Sequence, residues 1–117
     1  MSEEMLSVEV LDRGPDVVIG VHGELDFGTI SDLMAVVQPA AEAGRSVILD
    51  LAELAFCDSS GLGAFVRLHQ LAADAGGSLC LARLRPALES TIKLTMLHRL
   101  LVIRADLPAV DAAADPA

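Results

Sequence analysis

Asp58-Ser59-Ser60-Gly61-Leu62-Gly63 places two hydroxyls and a carboxylate in a short polar turn directly ahead of an apolar-periodic run. Such a turn opens a helix. The first turn of a helix carries N–H donors without intrahelical partners and a partial positive charge. Ser and Asp are also favoured caps. The same residues therefore support a capped helix alone, or a serine held out at the surface for modification. A second polar group stands upstream, Gly23-Glu24-Leu25-Asp26, with Thr29 three residues further on.

Other chemistry is poorly supplied. A serine nucleophile needs a positioned base, and the histidines are His22, His69 and His98. His69 falls about two and a half turns into the expected helix, too far along its axis to serve Ser59. His22 adjoins the upstream turn and reads first as a surface contact. There is no G-x-S-x-G elbow, so a small serine hydrolase is only a remote alternative. Gly61 and Gly63 make no P-loop, because the turn lacks a lysine. They either leave bare backbone for a partner's approach or permit tight helix–sheet packing. Cys57 and Cys80 show no C-x-x-C and no matching histidine spacing. They read as small buried hydrophobes in a reducing compartment. No metal or cofactor is expected.

The elements that position these residues follow from periodicity. Ser7-Val8-Glu9-Val10-Leu11 alternates as a strand, Asp12 to Asp16 is a turn cluster, and Val17 to Val21 is a second strand closing a hairpin. Thr29 with Asp32 resembles a capping box. Ile30, Leu33, Met34, Val37, Ala40 and Ala41 then share a helical face. Pro39 interrupts its hydrogen bonding, and Gly44 ends the helix. Val47 to Leu51 runs apolar without alternation, as in a central strand covered on both faces. Ala52 to Cys57 is a short connection. The second helix spans about Ser60 to Ala75, with Leu62, Phe65, Val66, His69 and Ala72 on one stripe, widened by Leu68 and Leu71. Ser78 to Ala82 is the fourth strand. Pro86 suits a helix first turn, with Leu88, Ile92 and Met96 recurring at a spacing of four. Leu100 to Ile103 is the last strand. Asp106 to Val110 is expected to form a short C-terminal helix, and Ala112 to Ala117 to fray. The order β-β-α-β-α-β-α-β implies an α/β fold with a mostly parallel sheet, right-handed crossovers and an N-terminal antiparallel hairpin.

Two motifs in this order, each preceded by a strand, resemble the signature of the STAS domain. That fold is shared by bacterial anti-sigma factor antagonists and the tails of sulfate transporters. The resemblance covers Leu6 to about Ala113 of a single 117-residue domain. It implies that Ser59, directly after Asp58, is the phosphoacceptor. It also implies that Asp26 lies in a kinase-binding turn. The expected partner surface comprises Gly23, Glu24, Asp26, Thr29, Asp58, Ser60, Gly61, Leu62 and Gly63. The implied partners are an anti-sigma factor with serine-kinase activity and a metal-dependent serine phosphatase. The unphosphorylated form would bind the anti-sigma factor and free a sigma factor; phosphorylation would abolish binding. The chain is then substrate and ligand, not catalyst. Within the same fold, an accessory subunit of an ABC lipid-transport system is the alternative, separable by gene neighbourhood. One departure stands out. The family tends to close its third helix with glycine, where this chain has Met96. A left-handed cap is costly for a side chain, so the end of that helix is open.

Composition agrees with a protein partner. Hydrophobic residues make up 53% of the chain but aromatics only 3%, so the core is aliphatic. That leaves few platforms for stacking bases. A net charge of −9 repels phosphate backbones and anionic lipid. No nucleic-acid or membrane binding is expected. The start of the chain lacks a signal-peptide pattern, no run has the length of a membrane span, and a cytoplasmic monomer or weak dimer is expected.

Overall fold

The computed structural model describes residues 6–109. The order is β1 (Leu6–Asp12), β2 (Val17–Leu25), α1 (Ile30–Glu42), β3 (Ser46–Asp50), β4 (Leu54–Cys57), α2 (Ser59–Asp74), β5 (Ser78–Ala82), α3 (Pro86–Leu94), a 3-10 turn (Leu97–Arg99) and β6 (Val102–Arg104). The sheet runs β1-β2-β3-β5-β6, with β1 antiparallel to β2 and the other pairings parallel. This is the expected α/β fold with three helices and an N-terminal hairpin.

The connection after β3 is a strand rather than a loop. The nine-residue β2 is long enough for two parallel partners. Its first half pairs with β3, from Val17↔Val47 to Gly20↔Asp50. Its second half pairs with β4, ending at Leu25↔Cys57. The Asp50 carboxylate accepts from the Arg83 guanidinium and the Ala52 N–H, and Leu54 N–H donates to Leu51 C=O. This turn returns the chain to β2 after a register shift at Gly23/Glu24. β4 escaped the sequence reading because its four residues run buried, exposed, exposed, half-buried, without strand alternation.

One face of the sheet carries the main core. Val17, Ile19, Val21, Leu25, Val47, Leu49, Leu79 and Leu81 meet Leu33, Val37 and Ala41 of α1 and Leu62, Phe65, Leu68 and Ala72 of α2. Fully burying Phe65 alone contributes about 2–3 kcal/mol. The α2 stripe is centred differently from its expected line: Leu68 is fully buried, while Val66 and His69 are half-buried. On the other face Val18, Ile48 and Ala82 are covered by Cys80 and Leu107. Arg13 holds this cover. It pairs with the buried Asp16 at 2.7 Å and donates to the Pro108 carbonyl at 2.8 Å. β3 is thus covered on both faces, as expected.

α1 runs unbroken through Pro39. Both long helices end in the same way. Gly44 and Gly76 take positive φ, and the next residues, Arg45 and Gly77, donate back to Ala40 and Ala72. That pattern satisfies the last carbonyls. α3 ends on Met96, which adopts the left-handed conformation at φ 66° in place of a glycine. Met96 therefore leaves the expected apolar stripe and lies half exposed. Met96→Gly is expected to raise stability by up to ~1 kcal/mol, because the strain disappears and little packing is lost. Chemical denaturation checks this; a loss above ~0.5 kcal/mol would show that the Met96 side chain matters more than its strain.

The last strand begins two residues later than expected, since Leu100 still belongs to the 3-10 turn's exit and Leu101 to a bend. Asp106 to Ala109 form no helical turn; they lie across the second face as the cover just described. Val110 and the expected frayed end fall outside the described residues. No helix among the described residues is long and apolar enough to cross a membrane.

Candidate functional site

The pairing Leu25↔Cys57 sets the ends of β2 and β4 side by side, so the two polar turns leave the sheet together. Asp58 ties them. Its Oδ1 accepts the Gly61 N–H at 3.1 Å, capping α2, and its Oδ2 accepts the Phe27 N–H at 3.3 Å. Asp58 N–H donates to Leu25 C=O at 3.1 Å. The carboxylate thus faces inward on both oxygens. Ser59 follows at the first helical position, exposed, and its hydroxyl makes no hydrogen bond among the described residues.

Asp26 organises the other turn. Its Oδ1 accepts from Gly28 N–H at 2.9 Å and Thr29 N–H at 3.1 Å. Its Oδ2 makes no hydrogen bond among the described residues. Thr29 stands at the cap of α1 but does not form the expected box with Asp32. Its hydroxyl turns back, donating to Glu24 C=O and accepting from Asp26 N–H, both at 2.9 Å. Asp26 therefore supports its turn as well as standing at the surface. Asp26→Asn keeps the Oδ1 acceptor and is expected to cost no more than ~0.5 kcal/mol. Asp26→Ala takes the acceptor from the Gly28 N–H, while the Thr29 N–H keeps the Asp26 C=O at 3.0 Å, and is expected to lose about 1 kcal/mol. Thermal melts of the two variants check this; equal melts would remove the turn-holding role.

The structure sorts the sequence-predicted residues by access. Ser59, Glu24 and Gly63 are exposed, and Asp26, Asp58 and Ser60 are half-buried. Thr29, Gly61 and Leu62 are buried. A Cβ on Gly61 would lie 2.6 Å from the Cys57 Sγ and 2.9 Å from Leu25, so this glycine lets α2 pack on the sheet. Gly23, at φ 104°, occupies the register shift of β2 and donates to Glu53 C=O. Thr29, Gly61 and Leu62 thus lie beneath the site, and Gly23 is half-buried beside it. Gly63 has open space above it.

Two residues with surface roles escaped the sequence reading. Phe27 is 80% exposed at the tip of the Asp26 turn, and Phe56 is half exposed on β4. The available signal was scarcity: only three phenylalanines occur, and two stand in or beside the polar turns. Two apolar depressions lie at the surface near the turns, and Phe56 lines one of them. One, of about 460 Å³, is lined by Ile30, Met34, Ser60, Gly63, Ala64 and Arg67 between α1 and α2. The other, of about 470 Å³, is lined by Phe56, Cys57, Arg85, Leu88 and Thr91 beside α3.

No histidine among the described residues hydrogen-bonds to Ser59. The His22 Nε2 lies 3.5 Å from Glu9 and packs over Gly20. Both cysteines are free, and burial pushes the Cys57 thiol up to about 12 and raises that of Cys80. Among the described residues no group of three or more His, Cys, Asp or Glu side chains is placed to hold a metal. The arrangement offers an exposed hydroxyl on a helix N-terminus, rimmed by carboxylates and apolar depressions. That suits modification and docking.

Comparison with known proteins agrees. The STAS domain model matches residues 7–110. The anti-sigma-B factor antagonist of Bacillus subtilis is 30% identical over 100 residues, covering 86% of this chain and 92% of that protein. A crystal structure of an anti-sigma factor antagonist from Mycobacterium paratuberculosis superposes with a TM-score of 0.77 at 22% identity, covering 95% and 92% of the two chains. The Bacillus cell fate determinant SpoIIAA in its phosphorylated form gives 0.63 at 23% identity, covering 95% and 96%.

Proposed function

The chain belongs to the STAS domain family, and from that membership we propose that it is an anti-sigma factor antagonist working by partner switching. Unphosphorylated, it docks on an anti-sigma factor that is also a serine kinase, and the sigma factor is released. The kinase transfers the γ-phosphoryl of ATP to Ser59, and the complex dissociates. A metal-dependent phosphatase restores the hydroxyl. Nucleotide and catalytic groups belong to the kinase.

The observation that carries this reading is the state of Ser59. It is exposed and makes no hydrogen bond to any described residue, and it stands on a helix cap whose carboxylate is already committed to Gly61 and Phe27. Ser60, half-buried in the depression wall, is the less accessible of the two. The docking surface consists of Glu24, Asp26, Phe27, Asp58, Ser60, Gly63 and Phe56. Phe27 supplies the aromatic anchor that binding energy tends to concentrate on. Its carboxylates suit a partner with a basic face.

The test is reconstitution. An anti-sigma factor encoded beside the gene is loaded with its sigma factor, and this protein is added. Sigma factor should be released, and ATP should reverse the release. Phe27→Ala should weaken the antagonist at least tenfold with an unchanged melt. No release by the unphosphorylated protein at micromolar concentration would overturn the reading.

A further inference from the structure

We propose that the β6 edge is a second docking site, for an extended acidic segment of another protein. β6 pairs with β5 alone, so its outer row of backbone donors and acceptors is unpaired among the described residues. An edge of this kind accepts an added strand. The side chains around it are not those of an ordinary solvated edge. Of the eight exposed large hydrophobic residues among those described, Leu94, Met96, Leu100 and Val102 fall in this one segment. Leu94 is 84% exposed. Val102 on β6 and Leu100 in the turn just before it are both exposed, while Leu101 and Ile103 join the main core. Apolar surface gathered in this way marks an interaction site.

Charge selects the occupant. The chain carries −9, yet from Ser90 to Ala105 it has Lys93, Arg99 and Arg104 and no carboxylate. Lys93 is paired with Glu89 at 3.2 Å. Arg99 and Arg104 are exposed and, like Arg67 on α2, enter no ion pair among the described residues, whereas Arg13, Arg45, Arg83 and Arg85 each do; Arg104 reaches the Cys80 thiol. Pairing this edge with the same edge of a second copy would set Arg99 and Arg104 against themselves, which disfavours a symmetric dimer. The other open edge, β1, has the Val8-Glu9-Val10 alternation, but its Asp12 is held by Arg45 at 2.8 Å and its Glu9 lies 3.5 Å from His22, so both carboxylates already have partners within the chain. A foreign strand with alternating apolar and acidic side chains satisfies the backbone row, covers Leu100 and Val102, and brings carboxylates to Arg99 and Arg104. The site lies apart from the Ser59 turn, which is rimmed by carboxylates and would repel such a segment.

The experiment titrates the full chain, followed by amide NMR, with an eight-residue peptide alternating valine and glutamate. The valine–lysine peptide, phosphatidylglycerol vesicles and the protein alone at rising concentration run in parallel. The valine–glutamate peptide should bind with a dissociation constant of about 1 mM or tighter. Shifts should cluster at residues 94–104, and affinity should fall as salt rises. The double variant Arg99→Glu/Arg104→Glu should reverse the preference to the lysine peptide, at an unchanged melting temperature; if it fails to fold, Arg99→Glu alone should abolish the preference. Equal binding of both peptides, shifts at residues 23–29 or 58–64, binding of vesicles only, or a concentration-dependent dimer broken by Val102→Lys would overturn the proposal.

Discussion

Phosphorylation of Ser59 is expected to weaken binding to the anti-sigma factor by about 100-fold while leaving the fold in place. A phosphoserine adds roughly −1.5 to −2 charges and three acceptor oxygens. On the protein itself this is favourable, because Ser59 is the first residue of α2 and the helix N-terminus attracts anions. The melt should therefore hold or rise slightly. Across the interface the balance reverses. The new group stands beside Asp58 and near the Asp26 turn, on a surface that meets its partner with a neutral hydroxyl. A loss of 100-fold needs only ~2.8 kcal/mol, an ordinary cost for a misplaced, partly desolvated charge. Fragmentation mass spectrometry should locate the phosphate on Ser59, and Ser59→Ala should bind and resist switching. Amide shifts should cluster at residues 58–64 and 23–29, which the Asp58–Phe27 hydrogen bond couples. Phosphate chiefly on Ser60, or shifts spreading through the hairpin and β6, would defeat this mechanism.

The site was legible in the sequence where local chemistry decides it. Asp58 as a cap, Gly44 and Gly76 as helix stops, and Pro86 as a helix start each act through their own backbone neighbours, and residue type reveals them. What the sequence hid depends on contacts between segments far apart. β4 is four residues long and owes its strand to the exposed second half of β2, not to its own pattern. The inward turn of Thr29 depends on Glu24 C=O, and the second role of Asp58 depends on Phe27, 31 residues away. Met96 is the opposite case. Its residue type argues against the left-handed cap that the chain adopts, because the path from α3 into the 3-10 turn requires that conformation. Exposure was also out of reach: among the motif residues Gly61, Leu62 and Thr29 are buried and Gly23 is half-buried, while Phe27 and Phe56, which no motif marks, are exposed.

Gly61 and Gly63 are expected to part company on substitution, which separates packing from docking within one turn of helix. Gly61→Ala should destabilise by about 1–3 kcal/mol, the usual cost of overpacking a filled core. The added Cβ meets the Cys57 Sγ at 2.6 Å and the Leu25 side chain at 2.9 Å. Leu25 is fully buried and cannot withdraw, and Cys57 is short. Removing the sulfur should give part of the loss back. The pair Gly61→Ala/Cys57→Ala should therefore be more stable than the sum of the single changes predicts, a coupling measurable in a double-mutant cycle. Gly63→Ala meets nothing within 4 Å and replaces a poor helix former by the best one, so stability should rise by up to ~1 kcal/mol. The same methyl group projects into the depression beside Ser60 and should weaken docking of the anti-sigma factor severalfold. A stabler protein that binds less well is an outcome a purely structural glycine cannot produce. If Gly63→Ala gains stability with undiminished binding, the partner does not approach α2 at this point, and the contact must lie on the Phe27 and Phe56 side of the turn.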